Sequence, residues 1–352
     1  SPMNAQERAD EDNGEEITPP QDELEGKQRK ERRDHDEKLR LDPYPMWRVP
    51  YRVGTSYVGD RYAQIYVNSV AESDEAKPRR LTDDDVNYAT PEWSGKYIYT
   101  ARQIDPTQDE PFRQSAIYRI HVEDATLEQL TDESHACFAP KPSPDGEMLA
   151  FIRFPRGIGS MSEHLTRLAV MPVAGGEPRD FNLTLDQSVQ DFDWQGDQIV
   201  FNSWIRGDGP VSRVDPQTGA IESLAVGTFK SVGVSAAPGG DVYFTASTPA
   251  SPLEVFRYLA DSNTYEAVTH FNHEFLEEVQ VQPHHEIVFT SPDGNEVQGW
   301  YILPTDYEEG KTYPLALNIH GGPHQMWGPG EASLFHEWQL HAASGYVVFY
   351  CN

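Results

Sequence analysis

Short apolar runs of strand length, broken by turn residues, repeat along the chain from Pro43 to about residue 272. Each repeat begins with a turn that contains glycine and continues as an apolar strand, as in residues 143–151. Tight hairpin turns often need a positive φ angle, which glycine adopts without a steric penalty. The turn glycines are Gly95, Gly146, Gly196 and Gly240, spaced 51, 50 and 44 residues apart. This spacing predicts one structural unit, built on a hairpin, in every repeat.

Further strand-like segments follow each hairpin, for example 117–120 and 168–171. A period of about 40–50 residues with four strands per unit is typical of β-propeller blades. An antiparallel sandwich also has frequent turns, but it lacks a recurring unit at such a spacing. One unpartnered half unit comes first, with strands at 63–67 and 81–82. We therefore predict about four and a half blades over residues 43–273, as part of a larger propeller whose earlier blades lie upstream or on another chain.

The pattern changes after residue 272. The predicted elements are a short helix at 274–279, a hairpin with strands at 286–289 and 297–303, a strand at 313–319, a helix at 333–343 and a strand at 345–350. The last two strands are apolar throughout, which is typical of strands buried on both faces of a sheet. We predict that residues 274–352 are a linker and the N-terminal strands of an α/β-hydrolase domain, so the fold class is an all-β propeller followed by the start of an α/β domain.

Composition and charge restrict the function. Residues 1–42 contain 14 acidic and 8 basic residues, so we expect a charged, partly disordered segment. The formal net charge of −29 disfavours nucleic acid as a partner, because a phosphate backbone attracts basic surfaces. No apolar run has the length of a membrane span and no signal peptide is visible, so we expect a cytoplasmic protein without a membrane partner. The two cysteines form no disulfide or metal pattern, and neither a metal nor a cofactor is expected.

The segment His320-Gly321-Gly322-Pro323 directly follows the strand predicted at 313–319. In α/β-hydrolases a loop at this place points backbone N–H groups at the developing oxyanion. Glycines allow the main chain to approach a substrate carbonyl closely, and such donors stabilise a tetrahedral intermediate. A Gly-Gly-Pro turn that only ends a strand is the simpler alternative. Its position after a strand, a hairpin and propeller repeats favours the functional interpretation.

Propeller repeats followed by a hairpin, an apolar strand, His320-Gly321-Gly322-Pro323-His324 and the strand 345–349 resemble the prolyl oligopeptidase family of serine peptidases. The similarity is greatest to its acylaminoacyl-peptidase and dipeptidyl-aminopeptidase branch. The resemblance covers about residues 43–352 and implies a peptidase whose propeller limits entry to short peptides. It also implies that Gly322, with Gly321, contributes backbone N–H groups to the oxyanion hole.

The nucleophile elbow Gly-x-Ser-x-Gly is found nowhere in the sequence. In this fold the serine, aspartate and histidine all follow the strand at 345–350, so we expect them outside this chain, in a missing catalytic segment or a companion chain. None of the 12 histidines is then catalytic. His320 is expected to order the loop and His324 to border the substrate site, or else to be solvent-exposed. The pair His284-His285 is predicted to lie in a surface loop.

Substrate contacts in the propeller are less specific. Arg153 and Arg156, next to a glycine-rich loop at 157–160, are candidates for reaching the central cavity, whereas an exposed loop is the simpler alternative. The partner expected is a short peptide, and a homo-oligomer is also possible. Two other functions stay open: a non-catalytic propeller that binds a partner, and an esterase of the same fold. The isolated chain is expected to hydrolyse nothing.

Overall fold

A computed structural model describes residues 62–69, 78–104, 115–155, 165–181, 187–321 and 325–352, with the backbone of 52–53 and 56–57. These residues fall into two compact units, one within 1–88 and 103–112 and the other within 89–102 and 113–352. The segment 1–42, for which partial disorder is predicted, lies outside the described residues.

The described part of the chain is mostly β-structure, with 24 strands and two α-helices. The strands are β1 (Arg52–Val53), β2 (Ser56–Tyr57), β3 (Tyr66–Val67), β4 (Arg79–Arg80), β5 (Tyr88–Ser94), β6 (Tyr97–Gln103), β7 (Ser115–His121), β8 (Leu127–Gln129), β9 (His135–Pro142), β10 (Met148–Pro155), β11 (Arg167–Pro172), β12 (Arg179–Asp180), β13 (Val189–Gln195), β14 (Gln198–Ser203), β15 (Val211–Val214), β16 (Ile221–Ala225), β17 (Lys230–Ala236), β18 (Val242–Thr248), β19 (Ser251–Leu259), β20 (Thr264–Ala267), β21 (His284–Thr290), β22 (Glu296–Ile302), β23 (Leu315–Asn318) and β24 (Val347–Cys351). The helices are α1 (His273–Glu278) and α2 (Phe335–Ala343), the latter preceded by a 3₁₀ turn at Ala332–Leu334.

Four antiparallel sheets of four strands follow one another in chain order: β5–β8, β9–β12, β13–β16 and β17–β20. The first hairpin of each sheet turns at one of the four predicted glycines, whose φ angles are 57°, 75°, 63° and 89°. A Cβ atom at any of these glycines would meet no neighbouring atom. Glycine is therefore needed there for backbone conformation and not for space. The predicted repeat of hairpins is confirmed.

Successive sheets pack face to face, as strand β10 illustrates. Leu149 and Phe151 belong to a core shared with Ile117 of the preceding sheet. The alternate residue Ile152 belongs to a second core, shared with Phe192 of the following sheet. Since neighbouring side chains on a strand point to opposite faces, a strand between two sheets must be apolar at every position. This explains why the inner strands of the repeats read as continuous apolar runs.

The first strands of successive sheets are also joined directly by hydrogen bonds. The donors and acceptors are Ala139 N to Thr90 Oγ1 at 3.2 Å between β9 and β5, Trp194 Nε1 to the Lys141 carbonyl at 2.8 Å between β13 and β9, and Val234 N to Asp191 Oδ2 at 3.1 Å between β17 and β13. The first strands of the two middle sheets, β9 and β13, are therefore joined to the first strands of both neighbouring sheets.

The last sheet is mixed, with the strand order β21-β22-β24-β23. The hairpin β21–β22 turns at residues 291–294, as predicted, and β23 pairs with β24 in parallel. Helix α2 makes the crossover between these parallel strands and packs its Trp338 ring on Tyr350, with ring centroids 3.9 Å apart. Trp300 and Val348 complete this core. The predicted helix at 333–343 and the predicted strand at 345–350 are confirmed, with bounds shifted by one to two residues.

The prediction that residues 313–319 are buried on both faces is wrong for the described structure. Strand β23 lies at the edge of its sheet, and Leu315 and Leu317 are 59% and 55% exposed. Its register with β24 places Ala316 and Asn318 beside Val348 and Tyr350, on the face that α2 covers. No element among the described residues covers the opposite face.

Candidate functional site

The His-Gly-Gly-Pro loop begins at the carboxyl end of β23. The carbonyl oxygen of Gly321 lies 3.0 Å from Nδ1 of His320, and since a carbonyl oxygen only accepts, this nitrogen carries the proton. A Cβ atom on Gly321 would meet open space. Gly322 and His324 lie outside the described residues. The carboxyl ends of parallel strands are where open α/β sheets place their ligands, so the loop occupies a suitable edge of the sheet.

Trp327 connects this loop to the end of β24. Its backbone N–H donates to Oδ1 of Asn352 at 2.8 Å, and Nδ2 of Asn352 donates to its carbonyl oxygen at 2.9 Å. The Trp327 ring meets the His320 ring edge-on, with centroids 5.3 Å apart. It also packs edge-on against Trp338, at 5.6 Å. The His320 ring therefore contacts a residue that is hydrogen-bonded to Asn352, directly after β24.

Residues 326–331, which continue the loop, contact the sheets β13–β16 and β17–β20. Lys230, the first residue of β17, donates to the carbonyl oxygen of Met326 at 2.7 Å. Its ammonium also forms an ion pair with Glu331. Sequence reasoning singled out neither residue of this pair. The only local signal is the Gly-Pro-Gly sequence at 328–330, which indicates a close approach of main chains.

Of the two arginine candidates, Arg153 is described, and it lies in a sheet other than the one from which this loop leaves. Arg153, near the end of β10, forms an ion pair with Asp180 of β12 at 2.7 Å and is largely buried. It also donates to the carbonyl oxygen of Pro178. Arg156 and the glycine-rich loop after it lie outside the described residues. The guanidinium of Arg153 therefore links two strands of one sheet.

The prediction that His284 and His285 lie in a surface loop is wrong. Both residues begin strand β21, and Nδ1 of His284 lies 2.7 Å from the hydroxyl of Tyr350. Burial, with a smaller effect of His285, lowers the pKa of His284 to about 4. Burial likewise raises the pKa of Tyr350. His284 is therefore a neutral hydrogen-bonding residue of the last core, and His285 stacks on Tyr301 with centroids 5.0 Å apart.

Within the described ranges, no three side chains of His, Cys, Asp or Glu come together in a way that would hold a metal ion. None of the helices found there has the length and apolar character needed to cross a membrane.

The chain is similar in sequence to proteins named as peptidases, although no protein-family model matches it. It is 39% identical over 112 residues to the uncharacterized peptidase YuxL of Bacillus subtilis, which covers 31% of this chain and 16% of that protein. It is 27% identical over 220 residues to dipeptidyl-peptidase 5 of Porphyromonas gingivalis, covering 60% of this chain and 31% of that protein. The relationship to peptidases that the motifs predict is confirmed.

A solved structure agrees with the fold. The acylaminoacyl peptidase of Pyrococcus horikoshii superposes with a TM-score of 0.62 at 20% identity, covering 79% of this chain and 41% of that one. The chain thus spans less than a third of the two curated relatives and about two fifths of this structure.

Proposed function

We propose that the chain belongs to the prolyl oligopeptidase family of serine peptidases and forms propeller blades and the first strands of the hydrolase domain in an enzyme that cleaves short peptides. Residues 43–273 are assigned to the propeller and residues 274–352 to the linker and the start of the hydrolase domain. The observation that carries the proposal is the His-Gly-Gly-Pro loop at the carboxyl end of a parallel strand, in a chain related to named peptidases.

The propeller assignment is supported by the packing of the four-stranded sheets. They follow one another in chain order, stack face to face, and present their first strands to one another. Blades arranged around a common centre need both features, because each blade must contact two neighbours while its first strand faces the centre. A propeller in this position would restrict substrates to short peptides, and Arg153, Arg156 and His324 are proposed to border their path.

The hydrolase assignment is supported by the last sheet. An antiparallel hairpin precedes two parallel strands joined by a helix, and the candidate loop leaves the first of these parallel strands. In the proposed mechanism a serine attacks the peptide carbonyl and forms an acyl-enzyme that water then hydrolyses. The N–H groups of Gly322 and Gly321 donate to the oxyanion of each tetrahedral intermediate, and His320 keeps the loop ordered. Removing one such donor typically costs about 10²–10³ in rate.

The nucleophile, the general base and the orienting acid are proposed to lie on polypeptide that this sequence does not contain. Two classes of substrate follow from the names of the similar proteins. Dipeptidyl peptidases release dipeptides from a free N-terminus, whereas acylaminoacyl peptidases act on a blocked one. The choice depends on contacts to the substrate's N-terminal group and is open for this protein.

The test uses a polypeptide that carries this chain joined to the following segment, with residues 1–352 alone as the control. We expect a fluorophosphonate probe to label the longer polypeptide on one serine, and turnover of either dipeptidyl or acylaminoacyl chromogenic substrates. The control should show neither label nor turnover. Absence of labelling in the correctly folded longer polypeptide would refute the peptidase proposal, and turnover of short esters alone would favour an esterase.

A further inference from the structure

Residues 326–331 approach the main chain of two neighbouring sheets unusually closely. A Cβ atom on Gly328 would lie 1.7 Å from the carbonyl oxygen of Gly207, in the loop after β14. One on Gly330 would lie 2.5 Å from the carbonyl oxygen of Ser247, at the end of β18. The hydroxyl of Ser247 also donates to the carbonyl oxygen of Gly330. The segment therefore rests on the sheets through main-chain contacts that only glycine permits.

Lys230 is the charged group at the centre of this contact. Its side chain is 4% exposed, and its ammonium lies 2.5 Å from Oε2 of Glu331, whose side chain is 15% exposed. It donates as well to the carbonyl oxygen of Met326 at 2.7 Å. The ring of Trp204 lies beneath it, 3.9 Å from ammonium to centroid. One buried cation thus bridges both ends of the segment 326–331.

A continuous set of contacts runs from this cation to the candidate loop. Met326 is followed by Trp327, which is held by Asn352 and packs against His320. At the other end Glu331 accepts from Ser333 at 2.7 Å and precedes helix α2. A displacement of residues 326–331 would therefore move the residue that packs against the start of the His-Gly-Gly-Pro loop.

We infer that Lys230 is a positioning residue, which fixes segment 326–331 on the blade sheets and thereby sets the place of the oxyanion loop through Trp327 and His320. The inference rests on the proposed function for its catalytic consequence. It makes the sheet β17–β20 a partner in arranging the oxyanion hole, in addition to limiting the size of the substrate.

The chemistry of the site favours positioning over bulk stability. A buried ion pair is often replaceable by apolar side chains with little loss of stability, because desolvation offsets the attraction between the charges. An apolar side chain at position 230 cannot donate a hydrogen bond to the Met326 carbonyl or to the Glu331 carboxylate. Both acceptors lie at fixed places on one segment. Without the ammonium, the Met326 carbonyl loses its side-chain donor and the Glu331 carboxylate keeps only the Ser333 hydroxyl, so the segment gains by moving toward water.

Hydrogen–deuterium exchange on the 352-residue chain tests the positional claim directly. We expect Lys230→Met to speed exchange of the Trp327, Glu331 and Leu334 amides at least about tenfold, because it breaks a buried pair and frees the segment to open locally. These amides donate to Asn352, Gly328 and Glu331, respectively. Amides of the sheet β9–β12 should exchange as in the wild type.

Lys311→Met is the matched control. Lys311 forms an ion pair of the same length, 2.5 Å with Glu308, but the two side chains are 58% and 63% exposed. Its loss should leave exchange in 326–334 unchanged. Equal exchange in the Lys230→Met and Lys311→Met variants would overturn the inference. If Lys230→Met does not fold, Glu331→Gln removes the charge of the partner at nearly constant shape and should speed exchange of the same amides to a smaller extent.

The catalytic consequence is measured on the longer polypeptide. We expect Lys230→Met to lower kcat and the rate of fluorophosphonate labelling by about 10–10² fold, with KM changed less than threefold, since misplaced catalytic groups act mainly on the transition state. Lys311→Met should change neither constant. Faster exchange with an unchanged kcat would overturn the positioning role. Absence of any labelling in the wild type would refute the peptidase proposal instead, and the exchange result would still decide whether Lys230 orders the segment.

Discussion

The four-stranded sheet β9–β12 and the last sheet, β21–β24, contain apolar strands that look alike in sequence but are buried differently. Strand β10 lies between two sheets, and both of its faces belong to hydrophobic cores. Strand β23 has one face toward α2 and the other exposed, with Leu317 at 55%. An apolar run therefore indicates a strand whose two faces can both be buried. Whether both faces are buried depends on the elements that pack against the strand.

Phe151→Ala in β10 should produce the largest difference between the two regions. Phe151 is fully buried, and removing such a ring typically costs about 3–5 kcal/mol in the free energy of unfolding. Phe289→Ala in β21 is the control, since this ring is 38% exposed, and its loss should cost about 1 kcal/mol. Urea denaturation of both variants measures the costs, and equal costs would contradict the double burial of β10.

The pH dependence of the free energy of unfolding tests whether His284, on the buried side of the last sheet, is kept neutral. Its pKa falls to about 4 on folding, from about 6.5 in an unfolded chain, so the unfolded state binds more protons between these values. Because the folded state keeps the ring neutral, the free energy of unfolding has its full value above pH 6.5. It decreases as pH falls toward 4, by at most about 3 kcal/mol.

The His284→Gln variant isolates this effect from the many carboxylates. The free energy of unfolding of the wild type should fall more steeply between pH 6.5 and 4 than that of the variant. Parallel curves from denaturant titrations at each pH would show that His284 is not held neutral by the fold.

The smallest effect is expected at the exposed face of β23. Leu317→Ala should change the free energy of unfolding by less than about 0.5 kcal/mol, as for most surface positions. Leu149→Ala makes the same change at a residue with no exposure and should cost about 2–5 kcal/mol. Chemical denaturation of the pair is the measurement. A cost at Leu317 close to that at Leu149 would mean that another element or molecule covers this face.

Local features were predictable from the sequence. Gly95, Gly146, Gly196 and Gly240 identify the hairpin turns because the positive φ angle is a property of the residue itself and needs no knowledge of neighbours. Helix α2 was also predicted within two residues. The candidate loop was found because His320 and Gly321 directly follow a strand.

Features that depend on distant residues were missed or predicted wrongly. His284 appears polar and loop-like locally, but Tyr350, 66 residues later, gives it a buried partner. The partners Lys230 and Glu331 are 101 residues apart. Neither pairing leaves a local pattern, because each depends on how separate sheets meet. Arg153 stays a candidate for the cavity, and no local pattern predicts its ion pair with Asp180, which depends on the register within its own sheet.

The double burial of β10 has a consequence for the order in which the chain folds. Hairpins within each sheet close over short loops and form early, but their apolar faces remain exposed to solvent until the next sheet packs against them. Each sheet is then stabilised by its neighbours more than by itself, as in repeat proteins whose units interact with adjacent units only. Unfolding should start at whichever sheet has a free face and advance inward one sheet at a time, so that hydrogen exchange slows toward the middle of the series β5–β20.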